Sequence, residues 1–135
     1  MAARYLLDTN ILIHIMKHSP PSVRERFQSL APDTLAMSVI TLGELYVGAE
    51  KSHSRIAAQA SIERLTASIQ VHDLPFDAAS HYGQIRASLQ SQGKIIGNND
   101  LWLAAHARAD GLILVTNNER EFNRVPDLRV ENWVK

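Results

Sequence analysis

The sequence predicts an α/β fold, a three-layer α/β/α sandwich in which helices cover both faces of a mainly parallel central sheet. Short apolar segments, each long enough for one buried strand, alternate with longer segments that have helical periodicity. Such continuous apolar strands are typical of parallel sheets that are buried on both faces. The 135 residues fit a domain of common size. We therefore expect a single domain over residues 1–135.

Predicted strands and helices alternate along the whole chain. Strands are expected over residues 4–7, 34–38, 69–74 and 112–115, with a last edge strand within 127–133. Helices are expected over residues 10–17, 22–30, 40–51, 54–68, 77–91 and 98–109. In a parallel sheet of this kind, functional residues gather at the carboxyl ends of the strands.

Particular residues mark the predicted helix ends. The prolines of SPPS (19–22) end the first helix and start the second, because proline is tolerated in a first turn. Asp77 is expected to cap the fifth helix, and Asn98 or Asn99 the sixth. Gly111 is expected to end that sixth helix.

Composition excludes several classes of protein. Lys plus Arg equals Asp plus Glu, 14 against 14, so bulk charge does not favour nucleic acid and any such binding needs a local basic patch. The chain has no cysteine, which excludes disulfides and thiolate metal sites and suits a reducing compartment. No apolar run is long enough to span a bilayer, and the first residues lack a signal peptide. A soluble cytoplasmic protein is predicted.

Three acidic residues stand in unusual surroundings. Asp8 follows the first apolar strand, where it either caps the next helix or belongs to an acidic site. Glu44 lies on a predicted helix face that is almost devoid of other charges, so it is either partly buried or lines a cleft. Asp100 falls in the first turn of the sixth helix, where the helix dipole alone would favour an acid.

These three acids predict a metal site if the fold brings them together. Two carboxylates about 4 Å apart repel by about 4 kcal/mol at an effective dielectric of 20, so a cluster needs protons or a cation. Oxygen ligands without cysteine or nearby histidine favour a hard ion, Mg²⁺ or also Mn²⁺, over Zn²⁺. Water bound to such an ion can attack a phosphodiester, which is the chemistry of nucleases and phosphatases.

Several segments together resemble one protein family. They are YLLDTNILI, MSVITLGELYVGAEKS, IIGNNDLWLAAHARADGLILVTNNEREF and LRVENW. In this order and at this length they resemble the PIN-domain ribonucleases and, more narrowly, the VapC toxins of bacterial toxin–antitoxin pairs. The resemblance implies a PIN-like fold and a metal-dependent endoribonuclease whose products carry 5′-phosphate and 3′-hydroxyl ends. Asp8, Glu44 and Asp100 match the acidic triad of the family.

The resemblance also assigns weaker roles beside the triad. Thr9 and Asn10 match the residues next to the first acid. A fourth acidic position is asparagine here; we align it with Asn118, and Asn117 is close enough to compete. Because asparagine adds no charge, one well-bound metal is more credible than two. Thr41, one turn before Glu44, is a candidate for orienting the metal's water, with helix capping as the alternative.

Substrate and partners follow from the resemblance as well. The segments SVRERF, GAEKS, GQIRASL and TNNEREF resemble enterobacterial toxins that cut initiator tRNA in its anticodon loop; rRNA or mRNA is the alternative substrate. Arg86 is a candidate contact for RNA or antitoxin. A small VapB-type antitoxin is expected to block the acidic cleft, and the toxin is expected to form a homodimer and a larger assembly with that antitoxin.

Two other interpretations remain open at this stage. A PIN-like interaction module without turnover would not need all three acids. A phosphoaspartyl phosphatase needs a second aspartate two residues after the first, where this chain has Asn10. His106 and Trp102, on the predicted sixth helix, are interpreted as packing residues.

Overall fold

The computed structural model describes residues 2–135, and its five strands form one parallel sheet. The strands are β1 (Tyr5–Leu7), β2 (Leu35–Ser38), β3 (Gln70–His72), β4 (Ile113–Val115) and β5 (Val130–Glu131). Their order in the sheet is β3-β2-β1-β4-β5, and all four pairings are parallel. The mainly parallel sheet and the last edge strand are therefore confirmed, although β3 and β5 are shorter than predicted.

Seven helices connect and follow these strands within the described residues. They are α1 (Thr9–Lys17), α2 (Pro21–Ser29), α3 (Val39–Glu50), α4 (Arg55–Ser68), α5 (Ala78–Ser91), α6 (Asn98–Asp110) and α7 (Glu119–Phe122). The first six agree with the predicted helices to within a residue or two. The four residues of α7 were not predicted as a helix, because one turn is too short to show helical periodicity.

The predicted helix caps are confirmed in part. Asp77 is the N-cap residue of α5, as predicted, but its backbone angles are helical and its side chain makes no capping hydrogen bond. Gly97 is the N-cap residue of α6, whereas Asn98 is the first residue of the helix and accepts a hydrogen bond from the hydroxyl of Tyr82. The end of α6 is as predicted, since Gly111 adopts a left-handed conformation (φ 65°).

The sheet separates two hydrophobic cores. Alternate residues of β1 point to opposite faces: Tyr5 and Leu7 enter one core, and Leu6 enters the other. Helices α1 to α4 and further strand residues complete the first core, and α5, α6 and α7 supply most of the second. This is the predicted three-layer arrangement. Within residues 2–135, no helix combines the length and the apolar composition that crossing a membrane requires.

The strand order places a crevice between β1 and β4. From β1 the chain continues to β2 and β3 on one side, and later returns to β4 and β5 on the other side. Helices leave neighbouring strands in opposite directions at such a switch point, which opens a crevice at their carboxyl ends. Asp8 follows β1 and Thr116 follows β4, so both residues lie at this crevice.

Candidate active site at the carboxyl ends of the strands

Asp8 lies between the central strand and the first helix. Its backbone N–H donates to the carbonyl of Val115 (3.0 Å), which extends the pairing of β1 with β4 by one residue. Its carboxylate accepts the N–H of Ile11 (3.0 Å) and caps α1. Asp8 is therefore a helix cap that also lies at the crevice, and the two interpretations offered by the sequence are compatible.

Glu44 is held against the residue next to Asp8. The hydroxyl of Thr9 donates to Oε1 of Glu44 at 2.7 Å, across 35 positions of sequence. Ser38 fixes the start of the helix that carries Glu44, because its hydroxyl oxygen accepts the N–H of Ile40 (3.1 Å). Thr9, which the sequence placed beside the first acid, thus joins the first acid to the second.

Asp100 reaches the same region from α6. It is half-buried in the first turn of this helix, where the dipole favours an acid. Asp100 and Glu44 line one open cavity of about 410 Å³ together with Gly97, Asn98 and Asn99. The structure therefore brings Glu44 and Asp100 to the same solvent-accessible cavity.

The electrostatics of the acids confirms that their charges interact. Burial raises the pKa of Asp8; hydrogen bonds from Thr116 and Ile11 oppose this shift, and the charge of Glu44 adds to it. Burial, together with the negative charges of Glu121, Glu44 and Asp8, raises the pKa of Asp100 to about 6. Asp8, Glu44, Asp100 and Glu121 are called the acidic cluster below.

Glu121 is a member of the acidic cluster that the sequence analysis missed. The fourth position was assigned to asparagine without charge, yet Nδ2 of Asn118 donates to Oε2 of Glu121 at 3.0 Å. Of the charged groups that act on Asp100, Glu121 raises its pKa the most. The signal was present in the segment TNNEREF, because a residue three positions after Asn118 lies on the same side of a helical turn.

The other predicted site residues take different places. Asn10 and Asn117 are exposed, and Nδ2 of Asn10 approaches Oδ1 of Asn117 at 3.5 Å. Asn118 is half-buried at the start of α7, where its backbone N–H donates to the hydroxyl oxygen of Thr116 (2.9 Å). Thr41 is completely buried, and among the described residues no group hydrogen-bonds its hydroxyl.

Arg86 is exposed on α5 and is oriented toward the start of α6. Its guanidinium donates to the hydroxyl of Tyr82 (2.7 Å), which in turn donates to Oδ1 of Asn98 (2.6 Å), two residues before Asp100. The ring of Tyr82 stacks on Trp102 with a centroid separation of 3.9 Å. Trp102 thus packs on an aromatic neighbour, as predicted.

The acidic cluster has the ligand chemistry of a site for a hard divalent ion. It offers carboxylate oxygens only, and within residues 2–135 none of its four acids forms an ion pair with Lys, Arg or His. The negative charges of the neighbouring acids raise the pKa of Asp100, which shows that the carboxylates repel one another. A bound cation would offset this repulsion. Clusters of carboxylates beside a parallel sheet are typical of metal-dependent phosphodiesterases.

Comparisons with known proteins agree with this class. Residues 5–128 match the PIN domain. The chain is 49% identical to the tRNA(fMet)-specific endonuclease VapC of Shigella flexneri over 130 residues, 96% of this chain and 98% of that protein. It is 48% identical to ribonuclease VapC2 of Haemophilus influenzae over 131 residues, 97% and 98% of the two chains. The structure of DNA-bound VapBC from Salmonella typhimurium matches with a TM-score of 0.90 at 43% identity, covering 97% of this chain and 98% of that one.

The chain therefore belongs to the PIN-domain family and, within it, to the VapC ribonucleases of toxin–antitoxin systems. The predicted fold class, family and type of enzyme, a nuclease, are confirmed.

Replacing Glu121 by glutamine should lower the pKa of Asp100 from about 6 toward its ordinary value of 3.8, because it removes the largest charge acting on that carboxyl. Glutamine still offers an oxygen to Asn118. A ¹³C NMR titration of the Asp100 carboxyl in metal-free protein measures the change. Glu119→Gln in the same short helix is the matched control, since Glu119 is paired with Lys135. An unchanged pKa of Asp100 in Glu121→Gln would contradict the assignment of Glu121 to the acidic cluster.

Asp100→Asn should stabilise the metal-free protein near neutral pH, by about 1–2 kcal/mol after allowance for the partial exposure of the carboxyl. The folded protein binds the Asp100 proton more tightly than the unfolded chain, since its pKa is about 6 against 3.8. Stability therefore falls as the pH rises from 3.8 to about 6, and the full cost is present above that range. Urea unfolding across pH measures the difference between the two proteins, which should vanish at acid pH. Asp73→Asn, a change at an exposed acid outside the cluster, is the control.

Proposed function

We propose that the acidic cluster is the site of a Mg²⁺-dependent endoribonuclease, for which Mn²⁺ can substitute. Asp8, Glu44 and Asp100 are the metal ligands and catalytic residues of this proposal, and residues 1–135 form one PIN domain. The observation that carries it is that Glu44 and Asp100 line one cavity, and that the unpaired charges of Glu121, Glu44 and Asp8 raise the pKa of Asp100. When bound, the ion would supply an activated water and would stabilise charge on the transferring phosphate.

The protein holds the proposed ligands before any ion binds. The cap of α1 restrains the Asp8 carboxylate, and Thr9 restrains Glu44 by a 2.7 Å hydrogen bond. Asn118, which occupies the fourth acidic position of the family, donates a hydrogen bond to Glu121 and so orients a carboxylate instead of supplying one. Fixed ligands of this kind reduce the ordering that binding of the ion requires. In this proposal Thr9 and Asn118 are positioning residues: Thr9 orients the carboxylate of Glu44, and Asn118 orients that of Glu121.

Substrate groups would approach from the exposed side of the cluster. Asn10 and Asn117 form an exposed polar pair, and their amides can bond to RNA phosphate or sugar oxygens. Arg86 supplies a cation whose direction is set by Tyr82 and Asn98, and it is the proposed phosphate contact. Thr41 is retained as a candidate for orienting water, since its buried hydroxyl is free of protein partners among the described residues.

The proposed substrate is tRNA, with initiator tRNA as the narrowest choice. This choice is supported by the relative from Shigella flexneri, 49% identical over nearly the whole chain, which is a tRNA(fMet)-specific endonuclease. Recognition of one RNA depends on loops rather than on the acids that cut it, so rRNA and mRNA are the competing substrates.

We further propose that a VapB-type antitoxin blocks this site. The solved relative from Salmonella typhimurium is a VapBC complex bound to DNA. A groove of about 590 Å³ in this chain is lined largely by apolar residues, among them Ile13, Leu45 and Ile62, and its lining includes Thr9 and Glu44. A segment with apolar side chains followed by a basic group fits this lining. The exposed Tyr46 and Val47 on α3 support the expected homodimer.

Replacing any one ligand by its amide, Asp8→Asn, Glu44→Gln or Asp100→Asn, should reduce cleavage at least about 100-fold, because each change removes a charged ligand. Asparagine at position 8 can still cap α1, and glutamine at position 44 can still accept from Thr9, so the fold is retained. The measurement is Mg²⁺-dependent cleavage of a total RNA pool, with mapping of the new 5′-phosphate ends.

Asp73→Asn is the control for this series and should cleave like the unmodified protein. New ends in the anticodon loop of initiator tRNA would support the narrow substrate. New ends in rRNA or mRNA would support the proposed nuclease activity but would contradict tRNA as the substrate. Full activity of a folded Asp100→Asn protein would contradict the site, and absence of cleavage by the unmodified protein would favour a binding module without turnover.

The groove should bind the antitoxin through its apolar lining. Gly48 lines the groove, and an added Cβ there meets no atom within 4 Å, so Gly48→Arg should fold and still block the groove. We expect at least about tenfold weaker binding of the small protein encoded beside the gene for this chain, measured by titration calorimetry. Gly83→Arg, at an equally open helical position outside the groove, should bind normally. Equal affinities of the two variants would place the partner elsewhere.

A further inference from the structure

A second group of possible metal ligands lies away from the start of α6. It consists of His72 at the end of β3, His106 on α6 and Asp110 at the end of α6. One nitrogen or carboxylate oxygen of each residue lies within 4.8 Å of those of the other two. Asp110 is about 15 Å along the helix axis from Asp100, at 1.5 Å per residue, so this group is separate from the acidic cluster.

The register of the sheet brings the two histidines together. His72 on β3 is paired with Ser38 on β2. Nδ1 of His106 lies 2.9 Å from the hydroxyl oxygen of Ser38, across 68 positions of sequence. Ala36 belongs to the core that contains α6, so Ser38 and His72, two residues further along their strands, face the same helix.

His106 carries a buried nitrogen that lacks a hydrogen bond. Its side chain has no exposure to solvent, and Nε2 has no hydrogen-bond partner within the described part of the chain. Oδ2 of Asp110 lies 3.3 Å from this nitrogen.

We propose that His72, His106 and Asp110 form a Zn²⁺ site with three protein ligands and an open fourth position. Ligands about 2.0–2.1 Å from a tetrahedral zinc ion lie about 3.3 Å from each other. This is the distance between Nε2 of His106 and Oδ2 of Asp110. Two imidazoles and one carboxylate select a borderline ion such as Zn²⁺ over the hard Mg²⁺ of the acidic cluster.

The surroundings of the three residues suit a metal site. Ser38 can accept the Nδ1–H of His106, which leaves the lone pair of Nε2 for the ion. Asp110 is exposed and gives the ion a path from solvent. Asp110 also lies at the C-terminal end of α6, where the helix dipole is unfavourable for a carboxylate and favourable for a cation.

An ion at this site would connect three parts of the fold. His72 belongs to an edge strand, and His106 and Asp110 belong to the helix that begins near Asp100. Ser38 caps α3, the helix that carries Glu44. Zinc would therefore attach β3 to α6. Through Ser38 it would also connect α6, which carries Asp100, to α3, which carries Glu44. The role is structural and does not depend on the proposed nuclease activity.

Calorimetric titration of the zinc-free protein with Zn²⁺ tests the site. The Asp100→Asn protein in excess Mg²⁺ is used throughout, so that zinc does not report on the acidic cluster. We expect one Zn²⁺ per chain, with His72→Ala and Asp110→Asn each weakening the affinity at least about tenfold. His53→Ala and Asp73→Asn, exposed positions outside the group, are the matched controls and should bind zinc normally.

A second measurement separates ligation from folding. Thermal unfolding should show a zinc-dependent rise in Tm for the controls and a smaller rise or none for His72→Ala and Asp110→Asn. Both changes lie outside the fully buried core, so circular dichroism should show native spectra for each. The absence of one-to-one binding would overturn the proposal. Unchanged zinc affinity in His72→Ala and Asp110→Asn would also overturn it, and would leave His106 and Asp110 as a contact within the protein that binds no metal.

Discussion

Asp8 lies where the central strand ends and the first helix begins, and the rest of the site is arranged around the charge it introduces there. Each neighbouring acid comes from a different helix, and nearly every one is provided with a donor. Ile11 and Thr116 bond to Asp8, Thr9 bonds to Glu44, and Asn118 bonds to Glu121. Among residues 2–135 no donor is directed at Asp100, and this is the acid whose pKa rises to about 6. The unmet requirement for positive charge is thus greatest at Asp100.

The two cores explain how the fold sustains this repulsion. Leu6 and Leu7 of β1 and Leu114 of β4 are fully buried, so the strands that precede Asp8 and Thr116 are fixed from both faces. Their backbones continue to pair up to the crevice, through Asp8 to Val115 and through Thr116 to Glu131. Burial of this apolar surface offsets the unfavourable charge, as is common where a site requires groups that would destabilise an ordinary surface. The acids are consequently held by rigid elements of the fold.

The sequence predicted the structure well where a local rule determines it. It predicted the structure less well where contacts between residues far apart in sequence determine it. The apolar strands, Gly111 and the three separated acids follow from periodicity, backbone freedom and charge patterning. Asn98 follows a capping rule in sequence, but Tyr82 engages its side chain and Gly97 takes the cap. Glu121 was missed because α7 has a single turn, and its membership of the cluster depends on a charge from another helix.

His106 shows the same limit from the opposite direction. Its alanine-rich surroundings correctly predict burial, and they say nothing about which polar groups are buried with it. Ser38 and His72 reach this histidine only because β2 and β3 pair in one particular register, and a shift by one residue would turn both side chains to the other face. Helix α6 therefore carries two groups of different chemistry, oxygen ligands near its positive end and a mixed nitrogen and oxygen group toward its negative end. In the proposed arrangement one helix would take part in two sites, of which only the mixed nitrogen and oxygen group has the ligand types that favour a borderline ion over a hard one.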